Sequence, residues 1–303
     1  MEDKQLIVVL GPTAVGKTAL SIRLAQHFQT EIVSADSRQL YSGLDIGVAR
    51  PSVAELESVP HHLVGFQPLG ELFSAGRFEK IALDTLSELY KKFDRVICTG
   101  GSAMYIDALT HGLDELPSDE RIQDELNSIQ REKGMGVLVE ELKLLDPVYA
   151  GQVDLANPHR VIRAIEICRI TGKKYSDLRT GKDSRRNFSV VKIGLYAPRE
   201  RLYERIHRRV DRMMEMGLEQ EARALYPLRH LASLNTVGYK ELFDCFDGTI
   251  SLTRAVELIK QHSRNYAKRQ MTWWRKDSTI SWFDVTGEND ILPAVIHEIS
   301  KSR

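Results

Sequence analysis

A phosphate-binding pattern stands near the start of the chain, where Gly11 and Gly16 enclose four residues and are followed by Lys17 and Thr18. Backbone N–H groups of such a loop, with the N-terminus of the following helix, can surround an anion. Lys17 adds a positive charge beside the phosphates, and the hydroxyl of Thr18 is placed to ligate Mg2+. The predicted loop consists of Gly11, Pro12, Thr13, Ala14, Val15, Gly16, Lys17 and Thr18.

An acidic residue, Asp36, follows the second apolar segment in the stretch EIVSADSRQLY. In small phosphate-loop kinases an acidic residue at this place commonly faces the acceptor substrate, an analogy of fold that makes Asp36 a candidate general base. The alternative is an aspartate that caps a helix or a turn. A guanine-reading N-K-x-D pattern is absent from the sequence, which argues against a GTPase.

The elements around these residues indicate an α/β protein. Apolar runs predict strands at residues 5–11, 31–35, 94–98, 190–196 and 279–285, and helical patterns at 18–28 and 74–92 separate the first three. The fold class expected is a phosphate-loop (P-loop NTPase-like) parallel sheet flanked by helices. No strong strand pattern occurs in residues 114–185, which read as an inserted helical domain between core segments 1–113 and 186–303.

The composition argues against a disulfide-bonded, a membrane-spanning or a secreted protein. The chain has 303 residues, 42% of them hydrophobic, and its 42 basic residues balance its 42 acidic residues. The three cysteines lie far apart and are predicted to be packing residues, as are His61 and His62. No apolar run approaches the roughly 18 to 20 residues of a membrane span, and the N-terminus lacks the layout of a signal peptide. We expect a cytoplasmic protein.

Charge is nevertheless concentrated locally. Residues 254–276 carry seven Lys or Arg against one Glu, interleaved with Tyr266, Trp273 and Trp274. Basic residues interleaved with aromatic ones are typical of RNA-binding surfaces, where cations meet phosphates and rings meet bases. The alternative is a basic helix whose aromatic residues face the core.

Six segments occurring in order resemble the tRNA dimethylallyltransferase family: GPTAVGKT, SADSRQLYSGLDIGVARP, VPHHL, TGGSAMYIDAL, NPHRVIRAIEI and KRQMTWWR. They cover nearly the whole chain. The resemblance implies transfer of a dimethylallyl group from dimethylallyl diphosphate to the N6 amine of adenosine 37, beside the tRNA anticodon. The phosphate loop would then hold a diphosphate leaving group together with Mg2+, and Asp36 would accept the amine's proton.

The resemblance also implies further site residues. Arg205 and Arg209 match arginines of the family and, spaced i, i+4, share one helical face, where they would stabilise the diphosphate with Lys17 and Thr18. The alternative is a solvated basic face. The residues expected to contact tRNA are Asp36, Ser37, Arg38, Gln39, Ser102, Arg160, Val161, Ile162, Arg163, Ala164, Lys268, Arg269 and Gln270.

The expected partners are therefore tRNA and dimethylallyl diphosphate, with no membrane, and the chain is expected to act as a monomer. Adenosine 37 must be extruded from the anticodon loop to reach such a site. Two other classes of function stay open: an ATP-dependent small-molecule or nucleoside kinase, and a non-catalytic RNA-binding protein. Prenylation of free AMP or ATP is a closer alternative, which the basic segment and Arg160 with Arg163 disfavour.

Overall fold

A parallel sheet forms the centre of the protein. The computed structural model describes residues 4–71, 73–181, 186–287 and 289–301. Within these ranges, six parallel strands are arranged in the order β3-β2-β4-β1-β5-β6. They are β1 (Gln5–Leu10), β2 (Ile32–Ser34), β3 (His61–His62), β4 (Arg95–Thr99), β5 (Ser189–Tyr196) and β6 (Ile280–Asp284).

Helices precede, connect and follow these strands. They are α1 (Lys17–Phe28), α2 (Val53–Ser58), α3 (Ala75–Leu89), α4 (Ala103–His111), α5 (Glu120–Lys133), α6 (Met135–Leu145), α7 (Pro147–Ala150), α8 (Pro158–Thr171), α9 (Tyr175–Leu178), α10 (Arg199–Glu215), α11 (Leu218–Leu225), α12 (Tyr239–Phe246), α13 (Leu252–Trp274) and α14 (Leu292–Lys301). Two short 3-10 helices lie at Tyr226–Leu228 and Ala232–Leu234. No helix in the described ranges is long and apolar enough to cross a membrane.

The central strand explains why the sheet was predictable. Every residue of β1 is buried, with Leu6 and Val8 in one core cluster and Ile7 and Val9 in the cluster on the other face. A strand covered on both faces reads as a continuous apolar run. The five predicted strands therefore correspond to β1, β2, β4, β5 and β6, and the α/β phosphate-loop fold is confirmed. The two-residue strand β3 was not predicted.

The chain divides into two compact units. One combines Met1–Thr110 with Arg185–Arg303 and contains the sheet, and the other is His111–Ser184. Helices α5 to α9 form the second unit, and its described residues contain no strand. Its core includes Leu126, Leu138, Leu142 and Ile165, all fully buried. The predicted insertion was 114–185, and its end at residue 185 lies outside the described residues.

Three loops leave neighbouring strands at the same edge of the sheet. The phosphate loop follows β1, Asp36 follows β2, and Gly100 and Gly101 follow β4. Strands β2, β4 and β1 are adjacent and parallel, so their carboxyl ends lie side by side. Ligands of open α/β sheets bind beyond such carboxyl ends. The topology therefore brings the predicted base close to the predicted phosphate loop.

Candidate functional site

The phosphate loop has the backbone geometry of an anion cradle. Gly11 has a φ of +145°, and a Cβ there would lie 2.5 Å from the carbonyl oxygen of Leu195 in β5, so a side chain does not fit. Ala14 has a φ of +64°, a left-handed conformation that costs a non-glycine residue about 1 kcal/mol. Alternating hand along a short loop turns successive N–H groups to one side. The strain at Ala14 accompanies a functional conformation of this loop.

Lys17 is half-buried and folds back on its own loop. Its Nζ donates hydrogen bonds to the carbonyl oxygens of Gly11, over 2.9 Å, and Pro12, over 3.0 Å. Removal from solvent, followed by the positive charge of Arg209, lowers the pKa of Lys17 to about 8, while Asp36 opposes the shift. An arriving diphosphate would offer this ammonium group stronger acceptors than two carbonyls.

Helix α10 brings two arginines to the loop. Arg209 Nη1 donates to the Thr13 hydroxyl over 3.2 Å, and an Arg205 Nη2 nitrogen lies 3.2 Å from the position a Cβ on Gly16 would take. Burial lowers the pKa of Arg209, and the charge of Asp36 partly opposes this. Both arginines are half-buried, whereas Arg201 and Arg208 are exposed on the same helix. The i, i+4 pair thus lines the site instead of forming a solvated face.

Asp36 uses its two carboxylate oxygens differently. Oδ1 accepts the backbone N–H groups of Arg38, over 2.9 Å, and Gln39, over 3.3 Å, so the residue does cap a turn. Oδ2 lies 3.3 Å from the place a Cβ on Gly101 would occupy, and both Asp36 and Gly101 line the cavity. The turn-capping interpretation is therefore confirmed for Oδ1, and the general-base role, for which Oδ2 is the candidate atom, stays a prediction.

The loop after β4 fits closely against the loop after β2. A Cβ on Gly100 would stand 2.1 Å from the Ala35 carbonyl oxygen, so only glycine permits this approach. Ser102 Oγ accepts the N–H of Ser37 over 2.8 Å and donates to the Ser37 hydroxyl over 2.9 Å. Both serines, expected to contact tRNA, thus bond to each other and fix the Asp36 turn.

Helix α13 contributes Gln270 to the site, a residue expected to contact tRNA. The Gln270 side chain is 4% exposed, its Oε1 accepts the N–H of Thr13 and its Nε2 donates to the carbonyl of Gly101, each over 2.8 Å. Tyr266 donates to the same carbonyl over 3.1 Å. The Gln270 side chain is thus used within the protein and also lines the cavity, and its expected tRNA contact stays a prediction.

The other residues of α13 divide between surface and core. Lys268 and Arg269 are exposed, and the Arg269 guanidinium lies 5.8 Å from the centre of the Tyr266 ring. Trp273 is 42% exposed and donates from Nε1 to Asp107, whereas Trp274 is buried in the core. The cations thus lie at the surface, and of the two tryptophans only Trp273 does.

Two side chains of the Asp36 turn are also used internally. Arg38 donates to the carbonyl of Ser233 over 3.1 Å, and Gln39 Nε2 donates to the carbonyls of Val48 and Ala49 over 3.2 and 2.8 Å. Both still line the cavity. Their expected tRNA contacts stay predictions.

A cavity of about 870 Å3 lies among these elements. Its walls are the phosphate loop, the Asp36 turn, residues 47–51, residues 99–101, α10, residues 235–241 and α13. Residues 235–241 had no predicted role in the site, although Gly238, a glycine that stands before a helix, marks a loop there. Glu221, also missed, holds residues 46 and 47 by accepting their N–H groups over 2.8 and 2.9 Å. The cavity joins a cationic anion cradle to a carboxylate and is large enough for two ligand groups.

The helical unit contains the other residues predicted to contact tRNA. The side chains of Val161, Ile162 and Ala164 are buried in its core, and the tRNA contacts expected of these residues stay predictions. Arg160 is exposed. Arg163 pairs with Oε2 of the fully buried Glu166 over 2.6 Å and donates to the Leu116 carbonyl over 3.2 Å. Arg163 therefore has a structural role within this unit, whether or not it also meets RNA.

Comparisons with known proteins cover nearly the whole chain. Residues 39–277 match the family described as IPP transferase. The chain is 51% identical over 288 residues to tRNA dimethylallyltransferase 1 of Bacteroides thetaiotaomicron, covering 95% of this chain and 94% of the relative. A crystal structure of tRNA isopentenylpyrophosphate transferase from Bacillus halodurans has 35% identity and a TM-score of 0.72, with 99% and 98% of the two chains covered. A eukaryotic dimethylallyltransferase described as acting on tRNA has 26% identity and a TM-score of 0.83, with 99% of this chain and 80% of that one covered.

Proposed function

The chain belongs to the tRNA dimethylallyltransferase family, and from this premise we propose how its cavity modifies tRNA. The enzyme is a prenyltransferase with tRNA as its substrate. It transfers the dimethylallyl group of dimethylallyl diphosphate to the N6 amine of adenosine 37 and releases diphosphate. A single observation carries the proposal: Asp36 and the cluster of Thr13, Lys17 and Arg209 line the same cavity.

The phosphate loop holds the donor by its diphosphate. Loop N–H groups other than those of Thr13 and Val15, which have protein acceptors, bind the anion together with the first turn of α1. Lys17 turns from the carbonyls of Gly11 and Pro12 toward the phosphate oxygens. Arg205 and Arg209 approach from α10. As the allylic C–O bond breaks, its electron pair moves to the diphosphate. Cations fixed beside the leaving group thus stabilise the transition state more than the ground state.

Mg2+ fits this cradle through Thr18. The half-buried Thr18 lines the cavity from the first turn of α1. In the part of the chain that the structure describes, no cluster of three or more His, Cys, Asp or Glu side chains could hold a metal ion. Mg2+ usually keeps several waters and binds through substrate phosphates with few protein ligands, so one hydroxyl beside a diphosphate suffices. When bound, the ion would supply further positive charge against the leaving group.

Asp36 serves the acceptor. The lone pair of the exocyclic amine of adenine is delocalised into the ring, which makes this nitrogen a poor nucleophile. Oδ2 of Asp36 accepts a hydrogen bond from the amine, orients it and takes its proton as the new C–N bond forms. Oδ1 stays bound to the turn and keeps the carboxylate in place. Catalysis thus requires donor and acceptor to meet between the phosphate loop and Asp36.

The tRNA backbone meets exposed cations. Lys268 and Arg269 of α13 and Arg160 of α8 carry exposed positive charge suited to phosphates. The acceptor base leaves its stack to enter the cavity, as target bases do in other nucleic-acid-modifying enzymes. The enzyme meets its tRNA substrate in the cytoplasm. It acts there as a monomer.

A paired incubation tests the function. The protein is supplied with unmodified tRNA and Mg2+, and with either labelled dimethylallyl diphosphate or labelled ATP, and the RNA nucleosides are then analysed. We expect label from the isoprenoid on N6 of adenosine 37 and no transfer from ATP. Steady ATP consumption without prenyl transfer would instead favour the kinase alternative.

A further inference from the structure

The Gln270 carboxamide joins the loops that carry the two sides of the cavity. Its oxygen accepts the Thr13 N–H in the phosphate loop, and its nitrogen donates to the Gly101 carbonyl in the loop after β4. These loops leave β1 and β4, which are neighbours in the sheet. Each of the two functions of the amide, acceptor and donor, is used once, and the side chain is almost completely buried.

Gly101 lies where Gln270, Tyr266 and Asp36 converge. A Cβ on Gly101 would stand 2.7 Å from Gln270 Nε2, 3.3 Å from Asp36 Oδ2 and 3.4 Å from the Tyr266 hydroxyl. The Gly101 carbonyl accepts from both Gln270 and Tyr266. The position of this peptide, which borders the Asp36 carboxylate, is therefore fixed from α13.

At its other end, the Gln270 contact belongs to the anion cradle. Thr13 donates its N–H to Gln270, and its hydroxyl oxygen accepts a hydrogen bond from Arg209. The N–H of Thr13 is thus occupied by a protein oxygen, and the loop is held against α13 at this residue. A shift of Gln270 would move the cradle and the Gly101 peptide relative to each other.

We infer that Gln270 is a positioning residue that sets the spacing between the diphosphate cradle and the acceptor side at Asp36. This inference rests on the proposed function, because spacing matters only if two substrates react across the cavity. Reacting atoms must approach to about 3–3.5 Å, and a misplacement of about 1 Å can reduce the rate 100-fold. Gln270 also lines the cavity, and in the role inferred it acts through the two loops and not on a reacting atom.

The chemistry of the amide selects the test variants. Glutamate has nearly the same shape but only acceptors when ionised, so Gln270→Glu keeps the acceptor for Thr13 and loses the donor to Gly101. Gln270→Met fills similar space and loses both. Gln261, exposed on the same helix and outside the cavity, provides the matched control Gln261→Glu.

Hydrogen exchange of the free protein measures the link without any substrate. In Gln270→Glu we expect faster exchange in peptides covering residues 99–105 and wild-type exchange in residues 11–18. Gln270→Met should accelerate hydrogen exchange in both segments, whereas Gln261→Glu should leave exchange in both unchanged. Tyr266→Phe, which leaves the Thr13 link intact, supplies a second variant whose acceleration is confined to residues 99–105. Unchanged exchange in both Gln270 variants would overturn the inference.

Single-turnover transfer with both substrates saturating measures the consequence. We expect the rate of Gln270→Glu to fall about 100-fold while the Kd values of donor and tRNA stay within about threefold of wild type. A tRNA Kd raised tenfold with an unchanged saturated rate would identify an RNA contact and contradict the positioning role. Failure of the wild-type enzyme to transfer a prenyl group would refute the proposed function, and the exchange experiment would still test the link.

Discussion

The guanidinium of Arg209 donates a hydrogen bond to the hydroxyl of Thr13 over 3.2 Å, which fixes a cation from α10 at the phosphate loop. Thr13 is in turn held through its N–H by Gln270 from α13. Two helices that lie far from the loop in sequence thus set its position. Charge placed before the substrate arrives does not have to reorganise during the reaction, and this is why fixed cations are effective in catalysis.

Replacing Arg209 should therefore impair the chemical step. For Arg209→Gln we expect kcat to fall about 100-fold, the effect typical of losing one group that stabilises developing negative charge. Arg209→Lys keeps the positive charge but lacks the planar guanidinium, so its kcat should lie between those of the wild type and Arg209→Gln. The measurement is steady-state kinetics with dimethylallyl diphosphate and tRNA varied separately.

Arg208 provides the control for Arg209. Arg208 directly precedes Arg209 on the same helix, but its side chain is exposed and does not line the cavity. Arg208→Gln removes the same charge from the helix surface, and kcat should stay within about twofold because surface charges are screened by solvent and salt. Equal losses in the two variants would mean that the overall charge of α10, rather than its contact with the loop, matters.

Donor binding should depend on the protonation of Lys17. Its pKa of about 8 means that the ammonium form predominates below pH 8 and is lost above it. Because the charged form binds the diphosphate, donor affinity should decrease by up to about tenfold per pH unit above this pKa. Donor Kd values measured by calorimetry from pH 7 to 9.5 would show the decline.

Lys17→Arg separates this titration from other pH effects. Arginine keeps its charge throughout the range, so any donor affinity that remains should vary little with pH. Lys17→Met should bind the donor weakly at every pH. A wild-type Kd that stays constant from pH 7 to 9.5 would show that Lys17 does not bind the donor in its charged form.

Asp36→Asn tests the general base with little disturbance of the turn. The asparagine Oδ1 can still accept the N–H groups of Arg38 and Gln39, so the loop after β2 keeps its shape. We expect turnover to fall by about 100-fold or more, a typical contribution of general-base catalysis, with tRNA affinity largely retained. Asp36→Ala should lose turnover as well as some stability. Near-normal turnover in Asp36→Asn would refute the base assignment.

The sequence predicted those parts of the protein that depend on local patterns. The strands buried on both faces appear as apolar runs, and the phosphate loop has a fixed spacing of glycines, lysine and threonine. Strand β3, His61–His62, was missed because two polar residues have no periodicity, and its pairing with β2 comes from the tertiary fold.

The face on which a helical residue lies was harder to predict. Lys268, Arg269 and Gln270 were grouped as expected tRNA contacts because they stand together in one family motif, but neighbours on a helix point about 100° apart. Gln270 falls on the stripe that contains Ala267 and Trp274, both buried. The i, i+3 and i+7 spacing was present in the sequence, but polar side chains are rarely assigned to a buried stripe. What the amide bonds to could be learned only from the folded loops.

Exposed cations of α13 should contribute to RNA affinity through charge alone. Lys268→Ala removes one positive charge and should weaken tRNA binding a few-fold at low salt. The slope of log K against log salt should become shallower by about one unit, whereas the saturated transfer rate should be unaffected. Filter binding at several salt concentrations measures the slope. An unchanged slope would place Lys268 away from the RNA backbone.

Arg160 and Arg163 offer a contrast between surface and structural roles on α8. Glu166 is fully buried and accepts hydrogen bonds from Ser118, Asp119, Gln123 and Arg163. Arg163→Met leaves the Glu166 carboxylate without its positive partner, and we expect a loss of about 2 kcal/mol in unfolding free energy. Arg160→Met, at an exposed position, should leave stability unchanged within about 0.5 kcal/mol. Chemical denaturation of both variants measures the difference.

The double variant identifies the cause of the Arg163 effect. If the loss in Arg163→Met comes from an uncompensated buried charge, then adding Glu166→Gln should recover part of it, because the neutral amide needs no cation. If the loss comes from the missing contact between Arg163 and the Leu116 carbonyl, the second substitution should bring no recovery. A stable Arg163→Met protein with weakened tRNA binding would instead assign Arg163 to RNA recognition.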